Sequence, residues 1–219
     1  MNFLRPLALL LASASACSAA VIDADAVIDG DSPFSGADIE IVDGAGGPTT
    51  ARLVDGGVIT DFLVQGDSSF VIEGGNVTSV GVLTDNASLI VRGGSVECTD
   101  PFCELDIVAE LWARDQSRIE INGGSIGRLY EDFGIAYYYI RLSGASTLTV
   151  WGSDFSVSSS STGGLHEISG ILSDGTLIDL IVLTSDLSGD VFLVPEPATL
   201  ASCIATFVIL SHCLLRRLS

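Results

Sequence analysis

The side chains that could perform catalysis are sparse in this chain of 219 residues, and their spacing matches no familiar catalytic motif. His166 stands beside Glu167, without a serine-nucleophile elbow, a zinc signature or a phosphate-binding loop around it. The carboxylates are so numerous that no single pair is marked out for acid–base chemistry. We therefore expect no catalytic residues and no enzyme activity.

Four aspartates close together near the start of the chain are the main candidates for a metal site. Ca²⁺ requires several oxygen atoms around one point. No EF-hand loop or calcium-binding nonapeptide repeat fixes these carboxylates in that way. We predict neither a metal site nor a cofactor, with calcium as the alternative. The residues concerned are Asp23, Asp25, Asp29 and Asp31.

Aromatic side chains offer a different chemistry, because sugar rings stack on aromatic faces. We single out Trp151 and a run of three tyrosines, Tyr137, Tyr138 and Tyr139, as possible ligand contacts. The simpler alternative for the tyrosines is a strand that packs one ring inward and two outward.

Three of the five cysteines, Cys17, Cys203 and Cys213, fall in apolar terminal segments. The other two, Cys98 and Cys103, flank a short turn-like stretch. In an oxidising compartment such a pair predicts a local disulfide, with two free thiols as the alternative. The closed loop would be short, so the expected stabilisation is at the low end of the usual ~2–4 kcal/mol.

Charge and hydropathy conflict when the chain is taken as a whole. It carries 28 acidic and 9 basic residues, a formal net charge of −19, yet its mean hydropathy is +0.53. Every acidic residue lies within 21–197, whereas both ends are apolar. The charge excludes a nucleic-acid-binding protein, and the apolar content of 47% excludes a disordered one.

Residues 1–20 predict a secretory signal peptide. Arg5 supplies the positive charge, an apolar stretch follows, and small residues continue up to Ala20. We expect cleavage near residue 19 or 20. Processing as a lipoprotein at Cys17 is the alternative, but Ala14 stands where that signal prefers leucine.

The segment 195–219 carries the most specific pattern. A short proline-containing motif precedes an apolar run at 198–215, and two arginines end it. As a helix this run is about 27 Å long, just enough for a bilayer core of about 30 Å. It predicts a transmembrane helix with its arginines on the cytoplasmic side. The motif and the basic residues are Val194, Pro195, Glu196, Pro197, Arg216 and Arg217.

This arrangement resembles the PEP-CTERM sorting tail of bacteria that produce exopolysaccharide, a tail also labelled as an ice-binding protein C-terminal domain. The resemblance implies export and processing by an exosortase-type membrane protease. It implies a precursor anchored in the inner membrane by the helix, and a mature form at the cell surface or in the extracellular matrix. The implied partners are the protease, the export machinery and extracellular polysaccharide.

A Gly-Gly pattern recurs through the middle of the chain, and its spacing indicates a structural repeat. Apolar residues stand at fixed positions around the first glycine of each copy: four before it (except Arg52), two before it and three after it. This alternation is typical of strands whose apolar side chains share one face. We predict that residues 21–164 form a right-handed parallel β-helix of about four to five coils, with a β-sandwich as the alternative. The first glycines are Gly56, Gly74, Gly93, Gly123 and, in a degenerate copy, Gly152.

Two longer intervals between repeats carry insertions, one with the cysteine pair and one with the tyrosines. The segment 165–194 predicts a hairpin around Asp174 and Gly175, followed by a strand, which together would cap the open end of the helix. An outward column is expected just before the glycines, with Glu73 and Arg92 as neighbours. Its members are Asp55, Glu73, Arg92, Asn122 and Trp151.

These features favour an exported structural protein of the cell surface or of the exopolysaccharide. A carbohydrate-binding or adhesion module is the first alternative, and it predicts that Trp151 or the tyrosines are exposed. A small polysaccharide-active enzyme is the second, and it predicts a cleft with two carboxylates near His166 or the outward column.

Overall fold

The computed structural model describes residues 19–97, 110–126, 139–159, 164–184 and 189–195. In these ranges the chain is all-β, as predicted, and its 18 strands form one mixed sheet without any helix. The same ranges accordingly contain no helix of the length and apolar character needed to cross a membrane. The predicted signal helix, the predicted disulfide between Cys98 and Cys103, and the predicted transmembrane segment 198–215 lie outside the described residues.

The strands are short, and most of them are three to five residues long. They are β1 (Ala20–Ile22), β2 (Ala26–Ile28), β3 (Ala37–Ile41), β4 (Thr50–Leu53), β5 (Val58–Val64), β6 (Ser69–Ile72), β7 (Asn76–Val77), β8 (Gly81–Leu83), β9 (Ser88–Val91), β10 (Ser95–Val96), β11 (Glu110–Ala113), β12 (Arg118–Ile121), β13 (Ser125–Ile126), β14 (Tyr139–Leu142), β15 (Thr147–Ser159), β16 (Leu165–Leu172), β17 (Leu177–Thr184) and β18 (Asp190–Pro195).

Most strands pair in parallel with a strand one repeat further along the chain, and these pairings form three columns. Column A contains β1, β3, the second half of β5, β8, β11, β14 and β17. Column B contains β2, β4, β6, β9, β12, the first half of β15, and β18. Column C contains the first half of β5, β7, β10 and β13. Among the described strands, antiparallel pairing is confined to β16 and its two neighbours, β15 and β17, so the arrangement does not match an antiparallel sandwich.

The registers of the three columns place apolar residues directly above one another on the inner face. Removing one such side chain from water contributes ~1.5–3 kcal/mol, so the ladders hold these short strands in place. The fully buried ladder residues are Leu53, Ile72, Val91, Ile121 and Val150 in column B, Ile41, Val64, Leu83, Ala113 and Leu142 in column A, and Ile59, Val77 and Val96 in column C.

The first repeat is aligned one residue differently from the sequence prediction. Leu53, not Val54, pairs with Ile72. Ala51, which is fully buried, takes the inner position that the prediction gave to Arg52, and Arg52 is exposed on the outer face. The first corner holds one more residue between its ladder positions than the later corners do. When the repeats are aligned on their first glycine, the strand residues of this first copy are therefore placed one position away from their true partners.

Glycines with positive φ turn the chain between columns B and C. Gly75, Gly94 and Gly124 have φ of 69°, 73° and 84°, and Gly56 plays the same part in the first corner with φ of 85°. A Cβ on Gly94 would also lie 2.6 Å from the carbonyl oxygen of Gly74 in the corner below. Both the left-handed conformation and the close stacking of the corners therefore require glycine.

The turn between columns A and B carries a second stack of left-handed residues, which the sequence analysis missed. Gly66, Asp85, Asp115 and Gly144 occupy the same place in successive turns, with φ between 58° and 69°. The Asp115 carboxylate accepts a hydrogen bond from the Asp85 N–H at 3.3 Å and so links two turns. Small residues two positions later are fully buried at this corner. They are Ser68, Ala87, Ser117 and Ser146.

The fifth glycine pattern does not form a corner, contrary to the prediction. Strand β15 runs through Gly152 and continues to Ser159, and its second half pairs antiparallel with β16. A Cβ on Gly152 would collide with the backbone of Ile171 in β16. Glycine is needed here for the close approach of a neighbouring strand and not for a turn.

The hairpin predicted around Asp174 and Gly175 is present as the antiparallel pair β16 and β17. Its tip is tied to a corner of column C, because the Asp174 carboxylate accepts hydrogen bonds from the N–H groups of Gly124 (2.7 Å) and Thr176 (2.9 Å). Burial by itself would raise the pKa of Asp174, but the hydrogen bonds from Gly124 and Thr176 outweigh it. The pKa of Asp174 therefore lies below its ordinary value of 3.8.

The stacked corners predict a large difference between two glycine substitutions. We expect Gly94→Ala to lower the free energy of unfolding by roughly 2–5 kcal/mol, because a left-handed side chain costs about 1–2 kcal/mol and overpacking about 1–3 kcal/mol. Gly36 is the matched control, because its φ is 79° but no atom lies within 4 Å of its Cβ position. In urea unfolding, Gly36→Ala should therefore lower the free energy of unfolding only by the cost of the left-handed conformation, without the cost of overpacking. Equal losses for the two variants would contradict the stacking argument.

The Asp174 contact predicts a pH-dependent stability. A carboxyl group with a lowered folded-state pKa stabilises the protein fully above its unfolded pKa, and this contribution is lost as the pH falls through the folded value. Asp174→Asn should lower the free energy of unfolding by about 1 kcal/mol at neutral pH and by progressively less below pH ~4. Asp179→Asn, at an exposed position on β17, is the control. A pH-independent effect of Asp174→Asn in chemical unfolding would refute the prediction.

Candidate ligand-binding surface

Of the aromatic residues singled out from the sequence, only Trp151 has a described side chain. It lies in β15 opposite Val194 of β18 and is half-buried. Its indole Nε1 is buried and has no acceptor in the described part of the chain. Trp151 is thus not the freely exposed ring that the binding hypothesis required. Tyr139 is the first residue of β14, while Tyr137 and Tyr138 lie outside the described residues.

The outward column next to the glycine corners has the predicted ion pair at its centre. Glu73 Oε1 lies 3.4 Å from Arg92 Nη1, and the other oxygen of Glu73 pairs with Arg52. The column begins with Val54 and not with Asp55, because of the one-residue shift in the first repeat. All three charged side chains are partly exposed, so each pair contributes only about 0–1 kcal/mol.

A second aromatic cluster lies on the outer face of column A, and the sequence analysis did not identify it. Trp112 in β11 stands in register between Val82 of β8 and Arg141 of β14. Arg114 Cζ lies 3.4 Å from the centre of the Trp112 ring, and Arg141 Cζ lies 5.3 Å from the same centre. Both distances fall within the ~6 Å range of cation–π attraction.

Two nitrogen donors in this cluster have no acceptor among the described residues. They are the indole Nε1 of Trp112 and Nε of Arg114. Leaving a buried donor without an acceptor typically costs about 1–3 kcal/mol. Arg114 also forms no ion pair with any carboxylate in the described ranges, whereas Arg52 and Arg92 share Glu73.

Trp112 is the last member of an apolar stripe on this outer face. Leu63, Val82 and Trp112 are aligned in β5, β8 and β11, and all three are half-buried. Both faces of a parallel sheet are usually covered. A stripe of this kind that ends at an indole and two guanidinium groups combines an apolar surface with hydrogen-bond donors and positive charge.

A simple feature of the sequence could have revealed this cluster. Trp112 and Arg114 are separated by one residue, so on a strand they share a face. The chain has only two tryptophans, which makes such a spacing informative. The contribution of Arg141 could not be read in this way, because it depends on the register between two strands that are separated by an insertion.

The described surroundings of His166 combine a serine hydroxyl with a shallow hollow. The His166 Nδ1 lies 3.0 Å from Ser159 Oγ, its neighbour across the antiparallel pair of β15 and β16. A hollow of about 240 Å³ borders His166, Val191 and Leu193, and its lining contains one carboxylate, that of Asp190. The cleft with two carboxylates that the enzyme hypothesis required is not formed by these residues.

The acidic residues near the start of the chain make separate local contacts. Asp25 Oδ1 accepts a hydrogen bond from the Thr50 N–H at 2.8 Å, and Asp29 Oδ1 accepts one from the Asp31 N–H at 3.1 Å. In the described ranges, no three acidic, histidine or cysteine side chains converge as they would around a metal ion.

The tail motif begins inside the folded sheet. Val194 and Pro195 are the last two residues of β18 and pair with Trp151 and Gly152 of β15. The other residues of the motif, Glu196, Pro197, Arg216 and Arg217, lie outside the described residues.

Comparison of the chain with protein-family models, with curated proteins and with solved structures finds no significant match.

The exposed ion pairs around Glu73 predict a small effect on stability. Glu73→Gln should lower the free energy of unfolding by no more than about 1 kcal/mol, and by less at high salt, because both pairs are open to solvent. Arg118→Gln, which changes an exposed arginine at the start of β12, serves as the control. A loss of several kcal/mol in thermal or urea unfolding would show that the Glu73 cluster does more than pair charges at the surface.

Proposed function

We propose that this chain is an exported structural protein of the cell surface or the exopolysaccharide, sorted by its C-terminal tail. The observation that carries the proposal is the continuous stack of parallel strands with apolar ladders inside and acidic side chains outside. Such a body is built by repetition and not around a pocket, which suits a scaffold or matrix component.

We further propose that the three columns are the sides of a parallel β-helix. Glycine corners connect column B to column C, and left-handed Gly or Asp turns connect column A to column B. The repeated return of the chain to the same column, always in parallel register, supports this architecture. The hairpin of β16 and β17 would cap one end, since its apolar face, including Ile168 and Leu180, is buried.

The sequence of the two ends supports export and sorting. The N-terminal segment has the order of a secretory signal, and the tail has the order of a PEP-CTERM segment. Strand β18 ends at Pro195, immediately before Glu196 and Pro197. On this proposal the body is held at the outer side of the inner membrane until an exosortase-type protease processes the tail. The mature protein is then surrounded by extracellular polysaccharide.

A carbohydrate-binding module remains the second candidate function, and the Trp112 cluster favours it. Trp112 is half-buried like Trp151, but it lies beside two arginines, and indole and guanidinium groups are both of the kinds that contact sugars. The two functions are compatible, because a matrix component can also bind the matrix polymer.

Processing of the tail predicts a defined mass for the mature protein. In a bacterium with an exosortase, intact-mass spectrometry of the secreted protein should find that residues 198–219 have been removed. A Glu196→Ala, Pro197→Ala double variant should remain in the membrane fraction with its tail intact, while an Asp190→Ala variant, which leaves the motif unchanged, should be processed normally. An intact tail on the secreted wild-type protein would contradict the sorting proposal.

A further inference from the structure

We propose that β18 is a docking edge for one extended segment of a partner protein, which adds to it as a further parallel strand of column B. The segment carries aliphatic side chains on its inward face and basic side chains on its outward face. This partner surface belongs to the folded body, so it goes beyond the scaffold role and does not depend on the processing of the tail.

The inner positions of column B turn their peptide groups toward the following strand. The Leu53 carbonyl accepts a hydrogen bond from the Glu73 N–H at 2.9 Å. One step further, the Ile72 carbonyl accepts a hydrogen bond from the Arg92 N–H at 2.8 Å. Alternate residues of a strand in the middle of a sheet bond to opposite neighbours, so the same pattern returns at each step of the column.

The last strand of the column, β18, has no following strand to receive these groups. Its Asp190 N–H donates back to the Ser146 carbonyl at 3.2 Å, so the alternating residues Val191 and Leu193 direct their N–H and C=O groups away from β15. Among the described strands, β18 pairs only with β15. In column A, by contrast, the last strand β17 is followed by β16. The open edge at this end of the sheet is therefore that of column B.

The open edge borders an apolar hollow that can receive a side chain. Val157 and Ile168 of the β15–β16 pair line the hollow together with Val191 and Leu193 of β18. Its volume is about 240 Å³, whereas ~150 Å³ is enough for a benzene-sized group. An inward aliphatic side chain of an added strand thus finds an apolar site. Strand addition takes its affinity from backbone hydrogen bonds and its specificity from such sites for alternate side chains.

The outer side of the edge favours basic residues in the partner. Asp190 is exposed at the start of β18, and Phe192, with 50% of its surface exposed, points outward two residues later. An outward Lys or Arg on the added strand pairs with the carboxylate or covers the ring. The formal net charge of −19 also attracts a basic segment over a longer range.

Fluorescence anisotropy of a labelled peptide, with the full chain in detergent micelles, tests the edge. An acetylated and amidated octapeptide of alternating valine and lysine should bind at about 0.15 M salt. Outward residues in column B bond to the preceding strand, so the lysine N–H groups of the peptide face β18. N-methylation of two lysines should therefore weaken binding roughly tenfold or more, while N-methylation of two valines should change the affinity by no more than about twofold.

A pair of valine substitutions locates the bound peptide. Val157→Lys should weaken binding roughly tenfold or more, because it places a charge in the apolar hollow. Val27→Lys is the matched control, since it makes the same charge change at a valine of similar exposure, 54% against 50%. Val27 lies on β2, at the opposite end of column B, and its substitution should change the affinity by no more than about twofold. The methylated peptides use the unaltered protein and carry the test if Val157→Lys fails to fold.

The proposal is overturned if the wild-type chain does not bind the parent peptide, or if the lysine-methylated peptide binds as tightly as the parent. It is also overturned if Val27→Lys weakens binding as much as Val157→Lys. A dimer of the chain alone in sedimentation, dissociated by Val157→Lys, would assign the edge to a second copy and likewise overturn it. None of these outcomes alters the mass of the mature C-terminus, which tests the sorting proposal separately.

Discussion

The hydrogen-bonded register between successive parallel strands is the constraint on which the rest of this molecule depends. Strands of two to five residues are too short to be stable individually. Their backbone pairing from one repeat to the next places Leu53, Ile72 and Val91 in one vertical line. A shift of one residue in any strand would turn its apolar residues outward. The corners preserve the register because their left-handed residues hold each turn in the same shape.

The same register also determines what the outside of the protein can present. Residues that alternate with the buried ladders are forced into outward columns, whatever their chemistry. This brings Glu73 between Arg52 and Arg92, and it brings Arg141 beside Trp112 across a long gap in sequence. The strongly acidic exterior is therefore not uniform, because four of its described arginines are gathered at two places.

The Gly-Gly pattern and the alternation of apolar residues were enough to predict the all-β class and the repeated strands, and the Asp174–Gly175 turn between two apolar runs predicted the terminal hairpin. The one-residue shift at Leu53 could not be predicted, because it depends on which glycine of the pair takes positive φ. The straight course of β15 through Gly152 depends on a strand that follows later in the chain. Trp112 could have been noticed beside Arg114, but its contact with Arg141 follows only from the pairing of β11 with β14.

The position of β18 determines how the body would respond to tension. This strand lies parallel to β15 from the Thr147–Asp190 pair to the Gly152–Pro195 pair, and the chain leaves it at Pro195. A pull on the tail along the strand axis would load the hydrogen bonds of β18 together in shear and would not open them one at a time. Such a force would be shared among the hydrogen bonds of the β15–β18 pair.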